Sequence, residues 1–114
     1  MHEGYRNSSI YGMLGYFKLL RNDDLDETTK LCEEAYDYNS DDRDIKDNLS
    51  ICYFRKGEYE KAEKISDELV GSAPNFVEGF YHGIQIAMKL NKYDKAAEYA
   101  EKLKECKRSG MTTV

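Results

Sequence analysis

The sequence is short of helix breakers: Pro74 is its only proline in 114 residues, and it has no glycine- or serine-rich linker. Proline inside a helix removes a hydrogen bond and clashes with the preceding turn, so its scarcity makes continuous helix the default reading. Long apolar runs are also missing. No stretch reaches the roughly eighteen apolar residues of a membrane span, and the start, MHEGYRNSSIYGML, lacks the basic residues and long apolar run of an export leader. Cysteine is sparse and odd in number. Cys32, Cys52 and Cys106 lie 20 and 54 residues apart, which offers neither a disulfide framework nor the paired spacing of a zinc site. A reducing, cytoplasmic setting is therefore expected, with no metal and no cofactor. An excess of positive charge is lacking too: 17 Lys and Arg against 22 Asp and Glu give a net charge of -5, with the signs interspersed and no basic stripe. Nucleic acid and membrane surfaces are thus not the expected partners.

What is present is polar for a globular chain, with 34% charged and 40% hydrophobic residues and a mean hydropathy of -0.80. Residues 1–114 suit one domain with thin layers better than a thick-cored sphere. The chain also repeats itself. GEYEKA at 57–62 is echoed thirty-four residues later by NKYDKA at 91–96, and a fixed period of twenty to fifty residues is the mark of a solenoid. At this offset Tyr59 falls on Tyr93 and on Leu25, Ala62 on Ala96 and Thr28, and Leu69 on Leu103 and Ala35. A second set coincides ahead of them: Leu19, Tyr53 and Ala87; Leu20, Phe54 and Met88; Arg21, Arg55 and Lys89. The register runs without a gap and defines three units, about 9–42, 43–76 and 77–110, the first degenerate.

Within a unit the apolar residues step by three and four, as in Leu49, Tyr53 and Phe54 and then Ala62, Ile65, Leu69 and Val70, which is an amphipathic helical pattern. Each unit therefore reads as two helices, and the six helices are predicted near 8–22, 25–38, 43–56, 59–72, 76–90 and 94–107. Asp23, Gly57 and Asn91 stand at equivalent places between them, and these residue types tolerate the left-handed backbone that ends a helix. Asp24 and Glu27 have the form of a capping box, Ser40-Asp41-Asp42 supplies caps for the third helix, and Pro74-Asn75 closes the second unit and can cap the next. Ala62 and Ala96 are small where two helices of a hairpin must approach, with Tyr59 and Tyr93 expected to pack beside them.

This pattern resembles the tetratricopeptide repeat. In residues 43–76, Leu49-Ser50 stands at the family's Leu-Gly pair, Tyr53 at its aromatic, Gly57-Glu58-Tyr59 at its turn, Ala62 at its small residue and Pro74 at its terminal proline. In 77–110, Phe80 and Ala96 match, while Gly83-Ile84 reverses the usual order of large and small. In 9–42 only Leu25, Ala35 and the period remain, with Gly12 where the family has a large aromatic. The resemblance implies an all-α fold, three antiparallel helix-turn-helix hairpins stacked as a right-handed α-solenoid, whose first helices line a concave groove that binds another protein or peptide. The implied groove residues are Ile10, Met13, Phe17 and Leu20, then Asp44, Asp47, Ile51, Phe54 and Arg55, then Glu78, Tyr81, Gln85, Met88 and Lys89.

That set is mainly apolar and aromatic, which suits a partner with an apolar or amphipathic segment. Met13, Phe17, Leu20, Phe54, Tyr81 and Met88 either face the groove or pack between neighbouring repeats, and spacing leaves both readings open. The family's clamp for the carboxylate of a chaperone tail is not expected, because its five places hold Met13, Phe17, Asn48, Glu78 and His82, and Glu78 would repel the tail. Arg21, Arg55 and Lys89 form a basic row that favours helix C-termini. The stretch DYNSDDRD at 37–44 has the outline of a calcium loop, but Asp42 and Asn48 occupy the places of its glycine and its bidentate glutamate, so it reads as a solvated helix start. His2 and His82 are isolated, the cysteines and most of the ten tyrosines read as packing residues, and Thr112-Thr113-Val114 matches a weak PDZ-ligand pattern. No acid, base and nucleophile can be assembled, so catalysis is not expected. The alternative to peptide binding is self-assembly, as a homodimer or larger, through uncapped ends of the array. KRSGMTTV reads as too short and glycine-broken to cover the last hairpin, which would leave Met88, Tyr99 and Leu103 bare.

Overall fold

The structure is a computed structural model that describes residues 8–111, with side chains from position 10 to 106. His2 and the residues at 112–114 lie outside the described residues. Six helices follow one another: α1 (Ser8–Leu20), α2 (Leu25–Tyr38), α3 (Arg43–Arg55), α4 (Tyr59–Ser72), α5 (Val77–Lys89) and α6 (Tyr93–Met111). Successive helices pack as hairpins, α1 with α2, α3 with α4 and α5 with α6, and the hairpins stack because α3 also contacts α1, α2 and α5 while α4 contacts α5. The result is an all-α solenoid of helical hairpins.

The turns between the helices of each hairpin show why these residues stop a helix. Gly57 (φ 81°), Asn91 (φ 59°) and Asn22 (φ 57°) hold the left-handed conformation, and the next amide reaches back to the last helical turn, Glu58 N to Tyr53 O at 2.9 Å, Lys92 N to Ala87 O at 2.8 Å and Asp23 N to Lys18 O at 3.0 Å. The left-handed residue of the first turn is thus Asn22, not Asp23. Asparagine enters that region readily, and ending α1 one residue early frees Asp23 to take the Arg21 guanidinium at 2.6 Å. The gapless thirty-four-residue register therefore slips by one residue at this turn. Asp24 caps α2 by accepting from Glu27 N at 2.9 Å, and Asp42 caps α3 by accepting from Asp44 N and Ile45 N. At α5 the expected asparagine cap is replaced by Phe76, which makes no side-chain cap bond.

Small residues sit where helices come closest. Ala62 is fully buried and Ala96 nearly so, within a core that includes Leu19, Cys32, Leu49, Cys52, Tyr53, Ile65 and Ile86. A Cβ on Gly12 would stand 3.2 Å from Asp44 Cβ, and one on Gly15 3.1 Å from Asn48 Nδ2, so glycine replaces the large aromatic because α1 lies hard against α3. The approach is pinned by Asn48 Nδ2, which donates to Gly12 O at 2.9 Å. Gly83 does the same for the last hairpin. A Cβ there would meet the Tyr99 ring at 2.9 Å, and Tyr99 is buried against Phe80, ring centroids 5.7 Å apart.

Three expectations fail at this end of the molecule. α6 continues through Gly110 to Met111, since one glycine weakens a helix by about 1 kcal/mol without ending it. Tyr99 is covered rather than bare and Leu103 is half-buried, while Met88 is 50% exposed. Tyr93, on the first turn of α6, is 58% exposed and its hydroxyl donates to Asn91 Oδ1 at 2.9 Å, so it faces solvent rather than packing into the hairpin. The tyrosines as a group divide: Tyr11, Tyr53 and Tyr99 are core, Tyr36 and Tyr59 are half-buried, and Tyr16, Tyr38, Tyr81 and Tyr93 face solvent.

α4 and α6 are joined by a polar cluster. Lys95 Nζ lies 2.9 Å from Glu63 Oε2 and 2.7 Å from Asp67 Oδ1, Lys92 Nζ reaches Glu63 at 2.8 Å, and Tyr99 Oη donates to Asp67 at 2.8 Å. Burial alone would raise the Glu63 carboxyl, but the hydrogen bonds from Lys92 and Lys95 outweigh it and hold the group below its ordinary value. A carboxyl lowered by folding contributes stability above its unfolded pKa, and that contribution is lost as pH falls through the folded value. The unfolding free energy should therefore decline as pH falls below the ordinary glutamate range, and Glu63→Gln should flatten that decline in urea titrations followed by circular dichroism. An unchanged slope would show that the cluster is not linked to folding.

Candidate functional site

The first helices of the hairpins, α1, α3 and α5, present matching rows at positions three, four and three residues apart. On α1 the row is apolar: Ile10, Met13, Phe17 and Leu20 are 37%, 53%, 52% and 59% exposed, and Leu14 and Tyr16 beside them are 41% and 52% exposed. Charge is nearly absent from this helix. Lys18 is its one charged residue, and its Nζ turns to Asp23 at 3.7 Å.

On α3 and α5 the rows are mixed. Asp44 and Glu78 are exposed in the first turns, Asp47 is buried, and its Oδ1 lies 2.7 Å from His82 Nδ1 across the interface. Partial desolvation of this surface carboxyl, followed by repulsion from Asp42, Asp47 and Glu78, pushes Asp44 up, with Arg43 opposing only in part. One turn further on, Ser50, Ile51, Phe54, Arg55, His82, Gln85 and Ile86 line a pocket of about 200 Å³. Ile51 and Phe54 are half-buried, and Phe54 rests edge-on against Tyr59 at 5.5 Å, so it shapes the pocket wall as well as supporting the core. Tyr81, Gln85, Met88 and Lys89 continue the α5 row in the open, with Tyr81 53% exposed.

The basic row is engaged at helix ends. Arg21 pairs with Asp23, Arg55 Nη1 donates to Leu19 O at 3.1 Å, and Lys89 Nζ lies 6.0 Å from the centre of the Tyr59 ring. Arg55 thus satisfies the Leu19 carbonyl near the end of α1 from α3, as a cation near a helix C-terminus is expected to do.

Sequence reasoning overlooked Leu14, Tyr16, Ile86 and the role of His82. Leu14 and Tyr16 lie on the exposed arc of α1, but their equivalents on α3, Asn48 and Ser50, are buried, so the repeat register pointed inward. The Asp47–His82 pair spans one period plus one residue, so alignment at the thirty-four-residue offset does not bring the two together. Cys32 and Cys52 lie in the core as free thiols, Cys52 Sγ donating to Cys32 Sγ at 3.8 Å. The hydrogen bond from Cys52, together with burial, pushes the Cys32 thiol up, which suits a packing role. Among the described residues no helix is long and apolar enough to cross a membrane.

The geometry matches known folds closely. The structure of MamA superposes with a TM-score of 0.80 at 19% identity, over 92% of this chain and 61% of MamA. The first TPR of Spaghetti (RPAP3), solved bound to the HSP90 peptide SRMEEVD, gives 0.79 at 16% identity over 87% of this chain and 78% of that one. YrrB, described as a TPR protein with an unusual peptide-binding site, gives 0.78 at 17% identity over 92% and 54%. The chain thus spans about three-fifths of MamA and about half of YrrB. No curated protein matches the sequence significantly. The tetratricopeptide repeat model matches residues 19–79, just over half of the chain, and with the helical hairpins, the left-handed turns and the small residues at their contacts, this chain belongs to the tetratricopeptide repeat family.

Proposed function

We propose that the protein is a non-catalytic scaffold, one domain of three repeats acting in the cytoplasm, that binds a polypeptide segment along the rows of α1, α3 and α5. The observation that carries this reading is the pocket between α3 and α5, with half-exposed Tyr81 and Met88 on the same α5 helix. At about 200 Å³ it falls below the roughly 300–1,000 Å³ of small-molecule sites, so it suits one anchoring side chain of a peptide better than a cofactor. Two neighbours in fold, Spaghetti and YrrB, are described with a bound peptide or a peptide-binding site, which supports the same use here. The acidic first turns of α3 and α5 favour a segment that carries a cation rather than an acidic tail.

The test is an array of short peptides of varied composition probed with the labelled protein. Capture should concentrate on sequences with a large apolar residue, and Met88→Asp should reduce binding by roughly tenfold or more, the loss of one desolvated anchor contact, while far-ultraviolet circular dichroism stays unchanged. Binding indifferent to Met88→Asp and Tyr81→Asp would overturn the groove as the site.

A further inference from the structure

A surface helix keeps its apolar side inward and its polar side outward, and one that is apolar on all sides belongs in an interior. α1 is of the second kind. Tyr11, Gly12, Gly15 and Leu19 form its buried face, and Ile10, Met13, Leu14, Tyr16, Phe17 and Leu20 cover the opposite arc in the open. Steps of three and four make those six contiguous along the helix. Each is 37–59% exposed, so at about 150–250 Å² for a large side chain they offer on the order of 600 Å² per chain. That is the upper end for the largest patch of an ordinary monomer. Two such faces together reach about 1,200 Å², the lower bound of a standard stable interface.

We propose that this face of α1 pairs with the same face of a second copy of the chain. Three features select that occupant. First, each chain carries a net charge of -5, so two copies repel at most of their surface, and α1 is where they can meet without like charges opposed; its one charge, Lys18, is held at Asp23. Second, the remaining exposed large hydrophobic residues, Tyr38, Tyr81, Met88 and Tyr93, are spread over three helices with at most two on any one, so among the described residues the only apolar stripe of matching length is the same one on another molecule. Third, a patch that meets its own copy closes at two subunits. The pairing covers Met13, Phe17 and Leu20 and so takes up the α1 part of the proposed peptide-binding rows, leaving the pocket between α3 and α5 open; its test reads mass rather than peptide capture, so the two proposals can fail separately.

Light scattering behind size-exclusion chromatography, from low to high micromolar protein, reads the outcome. The expected result is a mass that rises with concentration from 13.2 kDa towards twice that value. Phe17→Glu and Met13→Glu should each hold the protein at the monomer mass with an unchanged circular dichroism spectrum, because a buried carboxylate has no partner there. Met88→Asp, on α5, should leave the dimer intact, and added salt should not dissolve it. A monomer at every concentration overturns the proposal, as does a dimer that survives Phe17→Glu and Met13→Glu together.

Discussion

Phe80→Ala is expected to destabilise the protein by about 3–5 kcal/mol, the usual loss when a buried phenylalanine is truncated. Phe80 is 2% exposed and packs edge to face on Tyr99, the ring planes inclined at 75°. Its removal takes away its own burial and opens a void between α5 and α6 beneath Tyr99. Filling that void would require Tyr99 to tilt and give up its hydroxyl contact with Asp67, which is 2.8 Å long. The substitution should lower the thermal midpoint by roughly 15–30 °C for a domain of this size, with Phe80→Leu recovering most of it. Urea unfolding followed at 222 nm measures the loss directly. A loss below about 1 kcal/mol would mean that the ring site collapses without strain, contrary to the packing described.

Gly83→Leu should have the second largest effect, through crowding instead of a void. Helix propensity alone predicts a gain of almost 1 kcal/mol for leaving glycine in mid-helix. Against it, the first carbon of any side chain at this site meets Tyr99 Cδ2 at 2.9 Å and Ser66 Oγ at 3.1 Å, and neither α4 nor the Tyr99 ring can withdraw without disturbing the cluster of Glu63, Asp67 and Lys95. Overpacking of this kind costs about 1–3 kcal/mol and occasionally more, so the net change is a loss. Gly71 is the internal control. A Cβ there meets nothing within 4 Å, so Gly71→Ala should stabilise α4 by roughly 0.5–1 kcal/mol. If both substitutions stabilise, the close contact at Gly83 does not exist in solution.

The glycines also mark where sequence and structure part. Gly57 could be placed at a turn because its neighbours repeat at the right distance, and Ala62 and Ala96 at helix contacts because small residues recur in register. Helix limits followed to within a few residues for the same reason: periodicity and caps are local properties. Gly83 was legible only as a departure from the family's order of large and small, since its cause is Tyr99, sixteen residues away on another helix. Tyr99 and Tyr93 exchanged their expected environments because burial on α6 depends on which turn overlies α5, not on residue type. The site divides likewise. Its rows could be read from the resemblance, but the pairing of Asp47 with His82 and the pocket beside it arise from how α5 settles on α3, and the open face of α1 from the absence of a polar arc, which a search for inward-facing residues does not weigh.

The side-chain bonds between neighbouring hairpins, among them Tyr53 to Glu33, Lys95 to Asp67, Tyr36 to Glu68, His82 to Asp47, Asn48 to Gly12 and Arg55 to Leu19, join residues 20 to 36 apart in the chain. No contact has to wait for distant segments to find each other. A chain wired in this way closes only short loops as it folds, so the search for the native state is brief, and each hairpin responds chiefly to the one beside it. Cooperativity then has a range. The middle hairpin, α3 with α4, is held from both sides and should open last, whereas α1 with α2 and α5 with α6 can each loosen on one side alone. Partner binding along the rows would therefore act as a splint, extending to the outer hairpins the order that the middle one already has.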